Sequence, residues 1–541
     1  MPSPKSKVLP NASVRDRKYF QLWRRFYEPL VILRILGGTR GEHSPSVQQS
    51  PTHRFLDNLA YLCDYDKGGC TTSAVGLEDT PERFSFWVAS NDPKHSTKAA
   101  AFLTGILHDV RRIVDSPACD KTTPHEGLVN TCIKFAERRV KKERGLLARE
   151  ITNCIRFLAG SEGQYSQLGV ECRTSSLTSS DAEFLEWLGR FPKKQPGELC
   201  HFAYGERGTP MMKKLRGCLQ SHGDLPVIKE VVHRLGRLAH HVRAPQQLIE
   251  DLSNNSALRN VLDEFEVHAI QPQAVVDRPE AEPDLRIDNI MKRMLPANGF
   301  NTQYQEAAEF MNRQFDIMTR FKQDYNSKNF KPQMHAEVQV LEHFFRRQRR
   351  FLDDDRYIGC SKPACYCCHL YMRHHPARCV VPQTSRKVYV HWGLGALARG
   401  SQDDGFKLQR DVINAMAKTI RDDALDQILR KASAAPWHPD SQTGFTLPAP
   451  SVRGGGVGRP GGRQPPAEVA SMFDLDMATD TEDSHPTAAI VDSSASSPSA
   501  SRHSSFASLS DTGNRGLRDV SWADEGDPGS DSDSSSGGAK L

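Results

Sequence analysis

The chain has 541 residues, with 71 basic and 66 acidic side chains and a formal net charge of +5. Its last hundred or so residues are rich in Ser, Gly, Pro and Asp and poor in apolar side chains, so we predict a disordered acidic tail over 433–541. No apolar run approaches the roughly 18 residues that a membrane span needs, and the N-terminus lacks the apolar core of a signal peptide. These features predict an intracellular protein, cytoplasmic or nuclear, with no membrane partner.

The N-terminal part predicts helices followed by a β-hairpin. Apolar residues at helical spacing indicate a helix over 16–36, which Gly37-Gly38 ends, and a second helix over 53–65. The segments TTSAVGLE (71–78) and RFSFWVAS (83–90) are rich in β-branched and aromatic residues and are separated by a four-residue turn. They predict two antiparallel strands.

The rest of the chain is predicted to be mainly helical, with short strands near its end. Residues 96–270 carry mostly helical signals, and 271–285 read as a Pro-rich linker. Further elements are predicted in this order: helices over 302–324 and 335–351, strands over 356–360 and 388–394, and a helix over 402–431. The alternation from 335 onward indicates an α/β unit with parallel strand connections.

A cluster of cysteines is the most informative feature of the sequence. Thirteen cysteines in a chain without a secretion signal favour reduced thiols or metal ligands over disulfides. Cys365 and Cys368 form a C-x-x-C pair at a predicted helix N-terminus, and His335 opens another predicted helix upstream. One imidazole and two thiolates leave a fourth position for water, which is the composition of a catalytic zinc site. Glu337 is placed to reach that water without binding the metal.

These residues resemble a known signature. H-x-E followed by C-x-x-C is similar to the motif of the zinc-dependent nucleoside and nucleic-acid deaminases. The strings HAEVQVLE and YIGCSKPACYCCHLY resemble the OTT-like branch of that superfamily, most strongly over about 330–395. The resemblance implies one Zn²⁺ per chain bound by His335, Cys365 and Cys368, with Glu337 as the catalytic proton shuttle. It also implies a three-layer α/β/α fold of the cytidine-deaminase type.

The resemblance extends to a predicted domain organisation and to three substrate-binding candidates. Asn91 ends the second predicted strand, Ser361 lies four residues before Cys365, and Trp392 could stack on a base, although a strand-ending Asn and a core Trp are the plainer alternatives. Pro363 departs from the family pattern, in which the proline directly precedes the first cysteine.

The predicted segments are an N-terminal helical segment (1–50), a helix plus hairpin that supplies the first two strands (51–95), a helical insertion with linker (96–285), the deaminase core (286–432) and the tail (433–541).

Three alternatives to an active deaminase stay open at this point. A structural zinc knuckle would use Cys360 and Cys379, or one of His369, His374 and His375, as further ligands. A catalytically inactive, zinc-stabilised interaction protein would keep the fold without turnover. A C-x-x-C redox protein is disfavoured by the H-x-E element. If the protein is an active deaminase, its partner is a nucleobase-containing substrate, either a nucleotide or a nucleic acid, and protein partners are unknown.

Overall fold

The computed structural model describes residues 17–41, 49–116, 122–158, 179–221, 226–280, 282, 285–327 and 330–432, all within Met1–Asp480, one of two units of the chain. The predicted tail over 433–541 lies outside the described residues. The strands are β1 Ser73–Asp79, β2 Phe84–Ser90, β3 Phe265–Ala269 and β4 Gly359–Cys360. The α-helices, in chain order, are α1 Arg17–Leu36, α2 Pro51–Cys63, α3 Ser96–Asp115, α4 Thr122–Phe135, α5 Glu137–Leu158, α6 Ser179–Arg190, α7 Pro196–Glu206, α8 Pro210–Ser221, α9 Pro226–Asn254, α10 Ser256–Asn260, α11 Ile287–Met294, α12 Thr302–Phe315, α13 Ile317–Asn326, α14 Ala336–Arg346, α15 Tyr366–His374 and α16 Phe406–Leu429.

A small mixed sheet organises these elements. Its strand order is β3-β2-β1-β4. The β1–β2 pair is the predicted hairpin, antiparallel in register from Ser73 opposite Ser90 to Asp79 opposite Phe84. Strand β4 pairs antiparallel with β1, and β3 pairs parallel with β2. The parallel connections predicted from residue 335 onward are therefore wrong, because that region contributes one short antiparallel strand to the described sheet.

Helices cover both faces of the sheet, as the three-layer α/β/α prediction requires. Val75 and Val88 point into a buried apolar cluster with α2, α3 and α9, whereas Ala74 and Ala89 face the cluster built by α1, α14, α15 and α16. A side chain at Gly76 would come within 2.7 Å of Val340 and Phe344 on α14. The glycine thus lets α14 lie directly on β1, which positions the helix that His335 precedes.

The segment predicted as a helical insertion contributes to the sheet as well as to a separate core. Helices α4 to α8 pack with α9 around a third buried cluster. Within the same segment, α3 packs against β2 and β3. Strand β3 was not predicted, because its sequence FEVHA is short and only partly buried and follows a long helical stretch.

Two other predicted elements differ from the structure. Helix 302–324 is interrupted at Asp316, which takes a left-handed conformation (φ 48°) and separates α12 from α13. The strand predicted over 388–394 is wrong: the segment makes one isolated bridge instead, between Trp392 and Gln333, and Gly395 just after it bridges Val275. Its alternating sequence reflects side chains buried against several parts of the core rather than pairing with one strand. Among the described helices, none is both long and apolar enough to cross a bilayer.

Candidate metal centre and active site

His335, Cys365 and Cys368 come together at the N-termini of two adjacent helices. The Nδ1 atom of His335 lies 3.5 Å from Sγ of Cys365 and 3.3 Å from Sγ of Cys368. All three ligand atoms lie within 4.8 Å of one another, and both sulfurs are buried while His335 stays partly exposed. Tetrahedral zinc with ordinary Zn–N and Zn–S bond lengths would separate nitrogen and sulfur by about 3.5 Å. The residues therefore fit a metal ion.

Helix starts hold the three ligands in place. His335 is the N-cap residue of α14, and its carbonyl oxygen accepts the first helical hydrogen bond, from the N–H of Gln339, at 3.0 Å. Cys365 is the N-cap residue of α15, and its Sγ accepts the N–H of Cys368 at 3.4 Å. Free amides at a helix start stabilise negative charge, so Cys365, at the start of α15, lies where a thiolate is favoured.

The protonation states of the ligands are coupled. Burial opposes ionisation of Cys365, but hydrogen bonds with Cys368 and His335 and the charge of the imidazole outweigh it and lower the pKa of Cys365 to about 6. Burial lowers the pKa of His335, yet the neighbouring Cys365 charge and hydrogen bond raise it overall. Burial, together with Cys365 and Glu337, raises the pKa of the Cys368 thiol well above its usual range. A metal ion would displace these shared protons.

Glu337 lies beside the ligands without being one of them. It occupies the first turn of α14 and is 6 % exposed. Its proximity raises the pKa of both the Cys368 thiol and the His335 imidazole. The group of residues within ligand distance of one another contains His335, Cys365 and Cys368, and Glu337 is outside it. A carboxylate beside the cluster and outside it is available for proton transfer.

Trp392 supports a ligand rather than presenting a stacking surface. Its indole N–H donates to Sγ of Cys368 at 3.1 Å, and its backbone carbonyl accepts the Tyr27 hydroxyl at 2.9 Å. The side chain is fully buried, with the rings of Phe26 and Tyr371 beside it. No ring face is open to a base, so the core alternative describes this tryptophan. Its contact with the cysteine was not predicted.

Ser361 and Asn91 both make structural hydrogen bonds near the centre. The Ser361 hydroxyl accepts the backbone N–H of Ser73 at 3.0 Å, which continues the β1–β4 pairing. The Asn91 side chain accepts the N–H of Ala336 at 2.8 Å and donates to the carbonyl of Gly69 at 3.0 Å. Asn91 therefore joins the end of β2 to the start of α14. Their roles in substrate binding stay predictions.

The displaced proline has a structural explanation. Ala364 occupies the position directly before Cys365, where the family has proline. Its N–H donates to the carbonyl of Gln383 at 2.8 Å, and it forms a parallel bridge with Thr384. A proline at Ala364 could not make this bond because it lacks an N–H. The turn before the ligands is thus anchored to the chain at 383–384.

A cavity of about 300 Å³ lies next to the segment that leads into His335. Asn91 and Met334 contribute to its wall, and four glutamine side chains surround it: Gln271, Gln273, Gln333 and Gln339. Gln339 is fixed by donating to the carbonyls of Ser90 and Met334 at 2.9 and 2.7 Å. Gln271 and Gln273 come from the predicted linker, Gln333 from the approach to His335 and Gln339 from α14, and only the repeated Gln in QPQ hinted at them.

The cysteines and histidines of the structural-knuckle alternative do not join the cluster. Among the described residues, the only group of three or more His, Cys, Asp or Glu within ligand distance is His335, Cys365 and Cys368. The Cys360 thiol donates to the carbonyl of Ile358, and His375 lies 3.1 Å from the Glu342 carboxylate. Three protein ligands leave a position that a knuckle would fill with a fourth.

The comparisons with known proteins point to the same segment. Residues 334–395 match the model of the OTT_1508-like deaminase family. The match spans 62 of the 541 residues and includes all four residues of the His, Glu and Cys motif. The predicted resemblance is confirmed, and the chain carries a deaminase-like segment. No curated protein and no solved structure matches the chain.

Proposed function

We propose that the protein is a zinc-dependent hydrolytic deaminase that removes the exocyclic amine of a nucleobase. The observation that carries the proposal is the three-ligand cluster with Glu337 beside it and outside the ligand set. His335, Cys365 and Cys368 would hold the ion. When bound, zinc supplies Lewis-acid activation of water near neutral pH. The deaminase-like match over 334–395 supports the same chemistry.

Glu337 is proposed to move the protons of the reaction. Deamination requires that water lose a proton, that a ring nitrogen of the base gain one, and that the departing amine leave as ammonia. Glu337 is buried and close enough to Cys368 to raise the pKa of its thiol, so its carboxylate is confined to the site. A positioned general acid–base typically contributes 10²- to 10⁴-fold in rate.

The glutamine-lined cavity next to Met334 is proposed to receive the base. Its volume of about 300 Å³ is at the lower end of the range for small-molecule sites. Amide side chains such as Gln271, Gln333 and Asn91 offer both donors and acceptors, which suits the edge of a nucleobase. The substrate class that we propose is a nucleotide or a nucleic acid, inside the cell.

The second candidate is a zinc-stabilised interaction protein with no turnover. Glu337 counts against it, because a purely structural site with protein ligands has no need of a buried carboxylate next to the ligands. His335 is partly exposed, which also favours a metal site that substrate can reach, since a structural zinc site is normally closed by its protein ligands.

The test compares Glu337→Gln with Glu309→Gln, an exposed glutamate on α12. Zinc content and zinc K-edge absorption are measured together with ammonia release from nucleosides, nucleotides and single-stranded DNA and RNA. We expect one zinc with two sulfur and one imidazole ligands in both variants, and at least a 10²-fold loss of turnover in Glu337→Gln alone.

Two results would contradict this proposal. A Glu337→Gln variant with normal turnover would remove the assigned proton shuttle. A wild-type protein that is fully loaded with zinc, shows a fourth protein ligand and deaminates none of the substrates would support the interaction protein instead.

A further inference from the structure

A second cavity, with charged and amide side chains in its wall, borders the loop that precedes Cys365 and Cys368. It has a volume of about 220 Å³ and is bounded by α2, α9 and the loop over 360–363. Cationic side chains line it from each of these elements: Arg54, Arg237 and Lys362. Amide groups of Asn58, Gln247 and Gln383 complete much of the wall. His335, Glu337, Cys365 and Cys368 are not part of this lining.

The one carboxylate among the described lining residues is turned toward other donors. Asp57 accepts hydrogen bonds from the N–H of Cys360 at 2.8 Å, from the Tyr357 hydroxyl at 2.9 Å and from the Gln49 amide at 2.7 Å. Burial raises the pKa of Asp57 to about 6. Its oxygens are thus committed to the β4 side, and the rest of the wall carries positive charge and amide donors.

Behind this wall lies a set of buried ion pairs. Glu143 contacts three cations, Lys67 at 3.0 Å, Arg234 at 2.7 Å and Arg237 at 3.1 Å. Asp64 contacts Arg139 at 2.9 Å and Lys362 at 3.8 Å. Arg234 also pairs with Glu230. We call these eight side chains the buried ion network.

The buried ion network reaches the cavity through two of its cations. The third cation of the cavity wall, Arg54, pairs with the buried carboxylate of Asp251. Arg237 and Lys362 belong both to the network and to the cavity wall, so an anion in the cavity would contact the network directly.

We propose that this cavity binds a phosphate group, with Lys362 and Arg237 as its main contacts. The cavity volume of about 220 Å³ accommodates a small anion. Arginine and lysine are the side chains that recognise phosphate best. The group is either a free phosphate or pyrophosphate ion, or the phosphate of a nucleotide whose remainder extends from the cavity.

Such a site would act on the loop that connects β4 to the metal centre. Ser361, Lys362 and Pro363 lie in the cavity wall, and Cys365 follows two residues later. A phosphate group held by Lys362 would therefore fix the segment that presents the first cysteine ligand. The site does not depend on the proposed deaminase activity, because none of the residues assigned to catalysis contributes to it.

The experiment measures anion binding by the full-length protein. Titration calorimetry and thermal unfolding are followed at constant ionic strength with inorganic phosphate, pyrophosphate and AMP. We expect saturable binding with a rise in melting temperature for the wild type, and at least tenfold weaker binding for Lys362→Gln. Lys362→Arg should keep most of the affinity. Lys94→Gln is the matched control, because Lys94 also pairs with an aspartate but is highly exposed and does not line the cavity.

Competition separates the two sources of phosphate. Displacement of AMP by inorganic phosphate, with the same dependence on Lys362, would assign the site to a nucleotide phosphate. Binding of phosphate or pyrophosphate without AMP would assign it to a free anion. The absence of saturable binding by the wild type, or equal affinity in folded Lys362→Gln and wild type, would overturn the proposal. A Glu337→Gln protein should bind phosphate normally, which keeps this test independent of turnover.

Discussion

The metal centre and the buried ion network both keep ionisable side chains away from water, but the chain assembles them differently. The ligands of the metal centre come from residues 335 to 368, at two helix starts. The network joins residues as distant as Asp64 and Lys362, from α5, α9 and two loops. A site with ligands at fixed local spacing leaves a sequence pattern, whereas a network built by tertiary packing leaves none. We therefore expect that loss of one metal-binding side chain removes the metal ion and has only a local effect. Loss of a network carboxylate should instead destabilise the fold.

The largest effect is expected for Cys368→Ala. Removal of one thiolate from a three-ligand cluster should reduce bound zinc from one per chain to nearly none, because two protein ligands rarely hold the ion. Metal content after dialysis measures it. Cys367→Ala is the matched control: this neighbouring cysteine is also fully buried but lies outside the ligand group. Equal zinc retention by the two variants would mean that the thiolates do not bind the metal.

The next effect concerns the network. Glu143→Gln removes the charge that Lys67, Arg234 and Arg237 share, so it should reduce the free energy of unfolding by about 3–5 kcal/mol. Urea denaturation measures the change. Glu137→Gln, on the same helix, is the control, because its pair with Lys141 is exposed and should contribute nothing measurable. A Glu143→Gln protein as stable as Glu137→Gln would show that the network does not stabilise the fold.

This difference also explains what the sequence allowed us to predict. Helix α1 and the β1–β2 hairpin followed from apolar periodicity and turn residues, and the ligand set followed from H-x-E and C-x-x-C spacing. Strand β3 could not be predicted, because it exists through its parallel pairing with β2, some 180 residues earlier. The false strand over 388–394 has a similar origin, since its one bridge joins Trp392 to Gln333 in a distant part of the chain.

The candidate site shows the same limit at the level of single residues. The residue type of Trp392 predicts base stacking. In the structure its indole N–H instead contacts the Cys368 thiol, 24 residues away in the chain. The glutamines around Met334 come from two segments that only the folded chain brings together. The residue type shows which contacts a side chain can make, and the fold determines which neighbour it contacts.

A smaller effect is expected from a buried histidine in the same helix as Arg237. Burial and neighbouring arginines lower the pKa of His240 to about 3, against about 6.5 in an unfolded chain. Above pH 6.5 neither state binds the proton. As the pH falls toward 3, His240 is protonated in the unfolded chain but not in the folded chain, so the free energy of unfolding decreases.

His240→Gln should remove this contribution, which reaches up to about 2 kcal/mol at pH 5. The measurement is urea unfolding at pH 7 and pH 5, and the variant should lose less stability between them than the wild type. His201→Gln, on the exposed side of α7, controls for loss of a histidine as such. An identical loss in wild type and His240→Gln would mean that this histidine is protonated in the folded protein.

The smallest effect distinguishes the two roles open to Asn91. Its side-chain oxygen accepts the N–H of Ala336 at the start of α14, so Asn91→Ala should cost about 1 kcal/mol, as loss of a helix-capping acceptor does. Asn91→Asp keeps an acceptor at this position and should retain most of the stability. If Asn91 also contacts substrate through its amide, turnover should fall in Asn91→Asp even though the fold and the zinc content do not change. Equal turnover in Asn91→Asp and wild type would restrict Asn91 to holding α14, and with it His335, against the end of β2.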